Sequence, residues 1–342
     1  ASQTDVVATF CCRIQNALSA PLVASGVELA LTASIGVAAY PVDAKTSMGL
    51  LRCADIAMYE SKADMTPFSR YSELMDHFTS DALAMRAELA KAIREQTLTL
   101  VYQPKLRLED RALVGVEALA RWVHPTKGPI SPVKFIPLAE TTELIHPFTD
   151  FVLRTAVSQI AQWMSLGFEL AVAVNISANN LLDREFADKL RALLRETGVP
   201  ARLVELEVTE SALMRYPEVM LKRLQEIRDM GVKMSIDDFG TGFASLAYLK
   251  RLPVDALKID KTFITNADTD EGDRRIVRSS IQLAHGFGLK VVAEGVETEV
   301  VAQMLRDAGC DLAQGFHFSR PVKASEIESA WLGRPAAEPV HG

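Results

Sequence analysis

"SIDDFGTGFASL", residues 235–246, sets two carboxylates side by side and follows them with a Gly-Thr-Gly turn. Four readings compete for it: a metal site at a strand end, a Gly-rich phosphate loop, a kinase-like Asp-Phe-Gly, or a plain hydrophilic turn. Its surroundings narrow the choice. The residues around the two carboxylates, "KMSIDDF" (233–239), are one of about eight short β-rich runs in the second part of the chain. The others are "LTLVYQPKL" (98–106), "LVGVEALARW" (113–122), "LAVAVNIS" (170–177), "LVELEVTE" (203–210), "ALKID" (256–260), "KVVAEGVE" (290–297) and "LAQGFHF" (312–318). Amphipathic helical segments such as "REFADKLRALLRETG" and "RRIVRSSIQLAHGFG" separate most of them, and several end in Gly, a common helix stop.

Such alternation over roughly 240 residues has the size and rhythm of a (β/α) barrel. The first two runs are joined only by "RLEDRA" (107–112), too short for a crossover helix. They should pair as an antiparallel hairpin. The expected fold is therefore α/β, a modified (β/α)8 TIM-like barrel with an antiparallel first strand. A doubly wound open sheet is the structural alternative.

Catalytic groups of such barrels gather at the C-terminal ends of the strands. Taken in order, the runs from the second to the eighth end with Glu117; Asn175; Glu207 and Glu210; Asp237 and Asp238; Lys258 and Asp260; Glu294 and Glu297; and Gln314. Closing the barrel would bring many carboxylates together, and their repulsion needs compensation. Divalent cations supply it, and carboxylate, Asn oxygen and water suit Mg2+ or Mn2+. No His lies among these residues, which argues against zinc. Adjacent Asp237 and Asp238 could place one carboxylate between two ions about 3.5–4 Å apart, an arrangement used chiefly in phosphoester chemistry. Lys258 fits as a cation that orients water or neutralises developing charge. It equally fits a salt bridge among acids, and Glu210 and Glu297 fit structural partners that hold loops.

The 342 residues are 49% hydrophobic and 24% charged, ordinary for a soluble globular protein, with a formal net charge of -7. That balance argues against a long nucleic acid as partner but not against a small anion held by metals and local cations. Cys11, Cys12, Cys53 and Cys310 form no C-x-x-C, so reduced thiols in a cytoplasmic protein are expected. No apolar run approaches a membrane span, and no signal-peptide pattern is present. The first residue is Ala, so an upstream anchor in a longer parent stays open.

Residues 1–72 read as a small α/β unit. It has a helical "TFCCRIQNALSA", a β-rich "LALTASIGVAAYP" (29–41) with Gly36 inside it, and an amphipathic helix "SMGLLRCADIAMYESKA" (47–63). One strand and two helices make a poor core, which suggests a truncated domain. Residues 73–96 read as a connecting helix without Gly or Pro. The barrel then takes 97–330, and 331–342 form a tail.

Several of these stretches resemble the EAL domain family. "VGVEALARW" contains Glu117-Ala118-Leu119, the signature that names it. "YQP", "AVNIS", "ELEVTES", "SIDDFGTGFASLAYLKRLPVDALKIDKTFI", "VVAEGVE" and "QGFHFSRP" follow in family order, over about residues 98–325. The resemblance implies a phosphodiesterase that opens cyclic di-GMP to linear 5'-pGpG. It implies one metal on Glu117, Asn175, Glu207 and Asp237, and a second on Asp237 and Asp238. Lys258 and Glu294 would order the attacking water, with Glu294 reaching a metal through water. Gln314 would face the metal-bound water, Gln103, Leu119 and Arg121 would contact substrate, and Glu210 would anchor the loop after the fifth strand. A homodimer is also implied.

Phe243, Ala244, Phe316 and His317 depart from the family pattern without removing a ligand. Residues 29–72 resemble the C-terminal part of a GGDEF domain, whose signature is missing from this chain, so no cyclase activity is expected of it. A cyclic di-GMP receptor without catalysis is the alternative function. A third is a barrel that only dimerises. The kinase reading lacks a His-Arg-Asp loop, and "GTGFAS" is a weak near-match to a dinucleotide fingerprint.

Overall fold

Alternation of side chains along each strand explains how this sequence closes a barrel. In 204–209, Val204, Leu206 and Val208 are almost wholly buried on one face, while Glu205, Glu207 and Thr209 share the other. In 233–239, Met234 and Ile236 alternate with Ser235 and Asp237 in the same way. The aliphatic faces pack outward under helices, and the polar faces turn into the barrel. The computed structural model describes residues 3–18, 22–24, 27–29, 33–63, 66–214, 216–240 and 246–333. Most of the glycine-rich stretch 240–245, with Phe243 and Ala244, and most of the tail 331–342 lie outside the described residues.

The chain divides between Glu88 and Leu89 into two compact units, a division that falls within the helix Glu73–Arg94. In the second unit, eight strands form the barrel: β1 (Thr99–Arg107), β2 (Leu113–His124), β3 (Ala171–Asn175), β4 (Val204–Thr209), β5 (Lys233–Phe239), β6 (Ala256–Ile259), β7 (Lys290–Ala293) and β8 (Leu312–Ala313). Each pairs with the next, and β1 also pairs with β8, so the sheet closes. β1 is antiparallel to both neighbours and every other pair is parallel. The barrel with a reversed first strand is thus present, and the open sheet is excluded.

Outside the strands, Trp122, Phe135 and Phe148 stack edge to face at 5.8 and 6.1 Å. Trp163, fully buried on the helix Ile145–Ser165, meets Tyr102 edge-on at 5.3 Å and donates its Nε1–H to Glu328.

Three strands stop two or more residues earlier than the β-rich runs suggest. β3 ends at Asn175 because Ser177 begins a helix over Ala178–Leu182. β7 ends at Ala293, since Gly295 takes a left-handed φ of 67° and turns the chain. β8 ends at Ala313, because Gly315 packs directly on the backbone of Val296.

The first unit contains the helix Gln3–Leu18, an antiparallel pair Leu22–Ala24 with Val27–Leu29, and a β-α-β element. In that element Ile35–Val37 runs parallel to Phe68–Arg70, with the helix Ser47–Ala63 between them. Gly36 is where the helix meets the strand: a side chain there would overlap Ala54 O and the Met58 backbone. Among the described residues, Cys53, Ala57 and Tyr71 form a buried cluster with Ala38, Ala44 and Ile56 packed on them. All four cysteines are free.

Candidate metal centre

Residues on β2, β4 and β5 and just beyond the end of β7 meet around one ammonium group on β6. Lys258, fully buried on β6, has its Nζ 2.5 Å from Glu294 Oε1, 2.6 Å from Glu207 Oε2, 3.2 Å from Asp237 Oδ1 and 3.8 Å from Glu117 Oε2. Burial alone would depress its pKa, but Glu117, Glu207, Glu294 and Asp237 outweigh that and hold it well above the usual lysine range. One lysine cannot balance so many acids, and the acids themselves record the deficit. Burial pushes Glu294 up to about 8, with Asp237, Glu117 and Glu207 adding to it against Lys258. Burial and then Asp237 push Asp238 up to about 6. Burial likewise raises Glu117, with Lys258 opposing. Glu207 goes the other way: Lys105 and Lys258 overcome its burial and bring it to about 2.

Asp237, Asp238 and Glu294 each offer a carboxylate oxygen, and these oxygens lie within 4.8 Å of one another. Asp238 holds a left-handed φ of 55°, where a non-glycine residue is uncommon, so the chain turns sharply between the two aspartates. Asn175 donates its Nδ2 to Glu117 Oε1 at 2.6 Å, and turning the amide over would present its oxygen instead. Gln314 donates to Glu117 Oε2 at 2.6 Å and to Gln103 Oε1 at 2.9 Å, while its own Oε1 is buried without a partner. A donor set of oxygens only, short of positive charge, with a buried acceptor left over, fits a hard divalent cation and its water.

The other expected residues divide. Leu119 and Arg121 share the inward face of β2 with Glu117 by the two-residue period, both half-buried. Gln103 lies opposite Glu117 in the β1–β2 register and also donates to Ser319 O at 3.1 Å. Glu210 accepts from the Gly240 N–H at 3.0 Å, at the exit of β5. Glu297 is exposed and has no hydrogen bond or ion pair among the described residues. Asp260 caps the helix Lys261–Ile264 through the Thr262 N–H. His317 bonds Glu299 at 2.8 Å. Sequence reasoning missed Lys105 and Glu205. Lys105 Nζ is 2.6 Å from Glu207 Oε1 and 3.2 Å from Glu205 Oε1. A lysine two residues after Gln103 inside an apolar strand was the available signal.

Fold and site together define a TIM-like barrel with an oxygen-donor basin suited to hard divalent cations. The family model described as EAL domain matches residues 86–321, and the one described as diguanylate cyclase, GGDEF domain matches residues 1–67. Cyclic di-GMP phosphodiesterase NbdA of Pseudomonas aeruginosa is 42% identical over 92% of this chain and 41% of its own length. Bifunctional diguanylate cyclase/cyclic di-GMP phosphodiesterase MucR of the same organism is 40% identical over 94% of this chain and 47% of its own. The chain thus spans less than half the length of these two relatives.

Among solved structures, the PaMucR phosphodiesterase in complex with c-di-GMP superposes with a TM-score of 0.68 at 42% identity, over 70% of this chain and 98% of that one. The EAL enzyme Bd1971, bound to cAMP and cyclic-di-GMP, gives 0.70 at 30% identity, over 73% of this chain and 69% of that one. The chain belongs to the EAL domain family, with part of a GGDEF domain at its N-terminus.

Proposed function

We propose that the barrel hydrolyses cyclic di-GMP to linear 5'-pGpG with two divalent ions, Mg2+ or Mn2+. The observation that carries this reading is the approach of Asp237, Asp238 and Glu294 within 4.8 Å beside Lys258. The names of the related phosphodiesterases support the choice of substrate. Glu117, Asn175, Glu207 and Asp237 would hold one ion, and Asp237 with Asp238 the other. When bound, such ions supply Lewis acidity toward the phosphoryl oxygens and toward water.

The chain's own groups do the positioning. Lys258 Nζ, already hydrogen-bonded into the carboxylates, orients the attacking water and offers positive charge as the phosphorus gains negative charge. The Glu294 carboxylate accepts a hydrogen bond from that water and fixes its direction. Gln314, through its unpartnered Oε1, accepts from a water of the same site. Gln103, Leu119 and Arg121 face the substrate, Arg121 as the phosphate contact. Glu210 steadies the turn after β5 through the Gly240 N–H, and Glu297, exposed and without such a contact among the described residues, is given no part.

A homodimer belongs to the same proposal and is checked by sizing in solution. A reducing, cytoplasmic setting fits the four free cysteines. No described helix is long and apolar enough to cross a membrane.

The test is incubation of the chain with cyclic di-GMP and Mg2+ or Mn2+, with Glu117→Ala as control. Linear product from the parent chain alone is the expected result. Tight binding without product would favour a receptor instead.

A further inference from the structure

Lys105 lies on β1 two residues from Gln103, so both side chains leave the strand on the inward face. Its residue is 2% exposed. From there it reaches across the barrel to β4, where its Nζ is 2.6 Å from Glu207 Oε1 and 3.2 Å from Glu205 Oε1. The other oxygen of Glu207, Oε2, is 2.6 Å from Lys258 Nζ. Glu207 is therefore held between two ammonium groups, one on each oxygen. Lys258 also touches Asp237 and Glu294, whereas the ion pairs of Lys105 go only to β4.

We propose that Lys105 is a positioning residue: it ties down Glu207 Oε1, so that Glu207 gives a divalent cation the single oxygen Oε2 at a fixed place. This rests on the reading that the acidic cluster binds divalent ions. One physical argument and two observations favour it over mere charge balance. An apolar side chain of similar length would fill the same space without the cost of burying a charge. The contact to Glu207 is the shorter of the two that Lys105 makes. Glu207 has no freedom to swing, because its side chain has no solvent-exposed surface and both its oxygens are engaged. A carboxylate oxygen keeps a second lone pair, so Oε2 can serve Lys258 and an ion together. Groups that orient a metal ligand from behind in this way are part of the affinity of the site.

The test uses the full chain and Mn2+ alone. Lys105→Met removes the ammonium at nearly constant length. Titration of the substrate-free protein should show its Mn2+ Kd raised about tenfold or more, the usual effect of losing such a partner. KM for cyclic di-GMP at saturating Mn2+ should stay within about twofold, and the lost turnover should return as Mn2+ is raised. Glu205→Gln, which leaves the Lys105–Glu207 contact in place, should change the Mn2+ Kd by less than about twofold.

A crystal structure of the unmutated chain with Mn2+ supplies an answer that does not depend on a variant folding. It should show Glu207 bound through Oε2 alone, with Oε1 still on Lys105. A folded Lys105→Met with unchanged Mn2+ affinity, or Glu207 chelating through both oxygens, overturns the role of Lys105. Failure of the unmutated chain to bind Mn2+ overturns the reading of the whole site instead, and this role with it.

Discussion

Glu210, buried where β4 passes into the next helix, accepts a hydrogen bond from the backbone N–H of Gly240 at 3.0 Å. The contact joins two neighbouring strand ends just beyond Asp237 and Asp238. Asp238 holds a positive φ of 55°, costly for a residue with a side chain, so the turn gains from support outside itself. Glu210→Ala leaves that N–H without this partner and lets the aspartates shift. We expect kcat to fall about tenfold or more, because small misplacements at a reacting centre are costly. Glu210→Gln keeps a carbonyl acceptor and should retain most activity. Steady-state kinetics on both variants check this, and equal losses would assign the effect to charge rather than to the turn.

Asp237 faces Lys258 at 3.2 Å and also accepts from the Asp238 N–H at 2.9 Å. In the proposed centre it serves both ions. Asp237→Asn should therefore lower kcat roughly a hundredfold or more. Cyclic di-GMP affinity, measured by titration under conditions of no turnover, should change far less. Comparable losses in both would show that Asp237 mainly organises binding.

Gly315 has no room for a side chain, since a Cβ would overlap the backbone N, C and O of Val296. Backbone cannot yield as a flexible side chain can. Gly315→Ala should therefore destabilise the barrel by about 3 kcal/mol, at the upper end of overpacking costs. Thermal or urea unfolding measures this directly. Gly128, whose added Cβ meets nothing, has a φ of 70°. Gly128→Ala should pay only for that backbone strain, about 1 kcal/mol.

Without metal, Glu294 titrates near 8 and Asp238 near 6, both raised first by burial. A carboxyl whose folded pKa lies above its unfolded value favours the folded state when protonated. That contribution is present below the ordinary carboxylate range and is lost as pH rises toward 8. A bound divalent cation replaces the proton, so its affinity should climb with pH over this interval. Melting temperatures with and without saturating Mn2+ should differ more at pH 8.5 than at pH 6. An equal shift at both would contradict the proton–metal exchange.

Much of this was legible in the residues themselves, for local reasons. Val204, Leu206 and Val208 alternating with Glu205 and Glu207 announce a strand with one polar face, and a five-fold recurrence of acids near strand ends announces a shared basin. The short "RLEDRA" link announces the reversed first strand, which pairs as expected. What could not be read depends on long-range packing. Lys105 meets β4 a hundred residues further on. β8 stops after two residues because Gly315 meets Val296, a contact invisible in "LAQGFHF". The short strand Gly128–Ile130, with Pro129 inside it, exists only because β2 offers it an edge at Trp122–His124.

The central claim is that a water held in the acidic basin attacks a phosphodiester of cyclic di-GMP when divalent ions are present. Turnover in 18O-labelled water, with the product weighed by mass spectrometry, tests it most directly. The expected product is a linear dinucleotide carrying one 18O on its terminal phosphate, formed with Mg2+ or Mn2+ and lost with a chelator. Cyclic di-GMP bound but left intact under those conditions, or a linear product without the label, would contradict it.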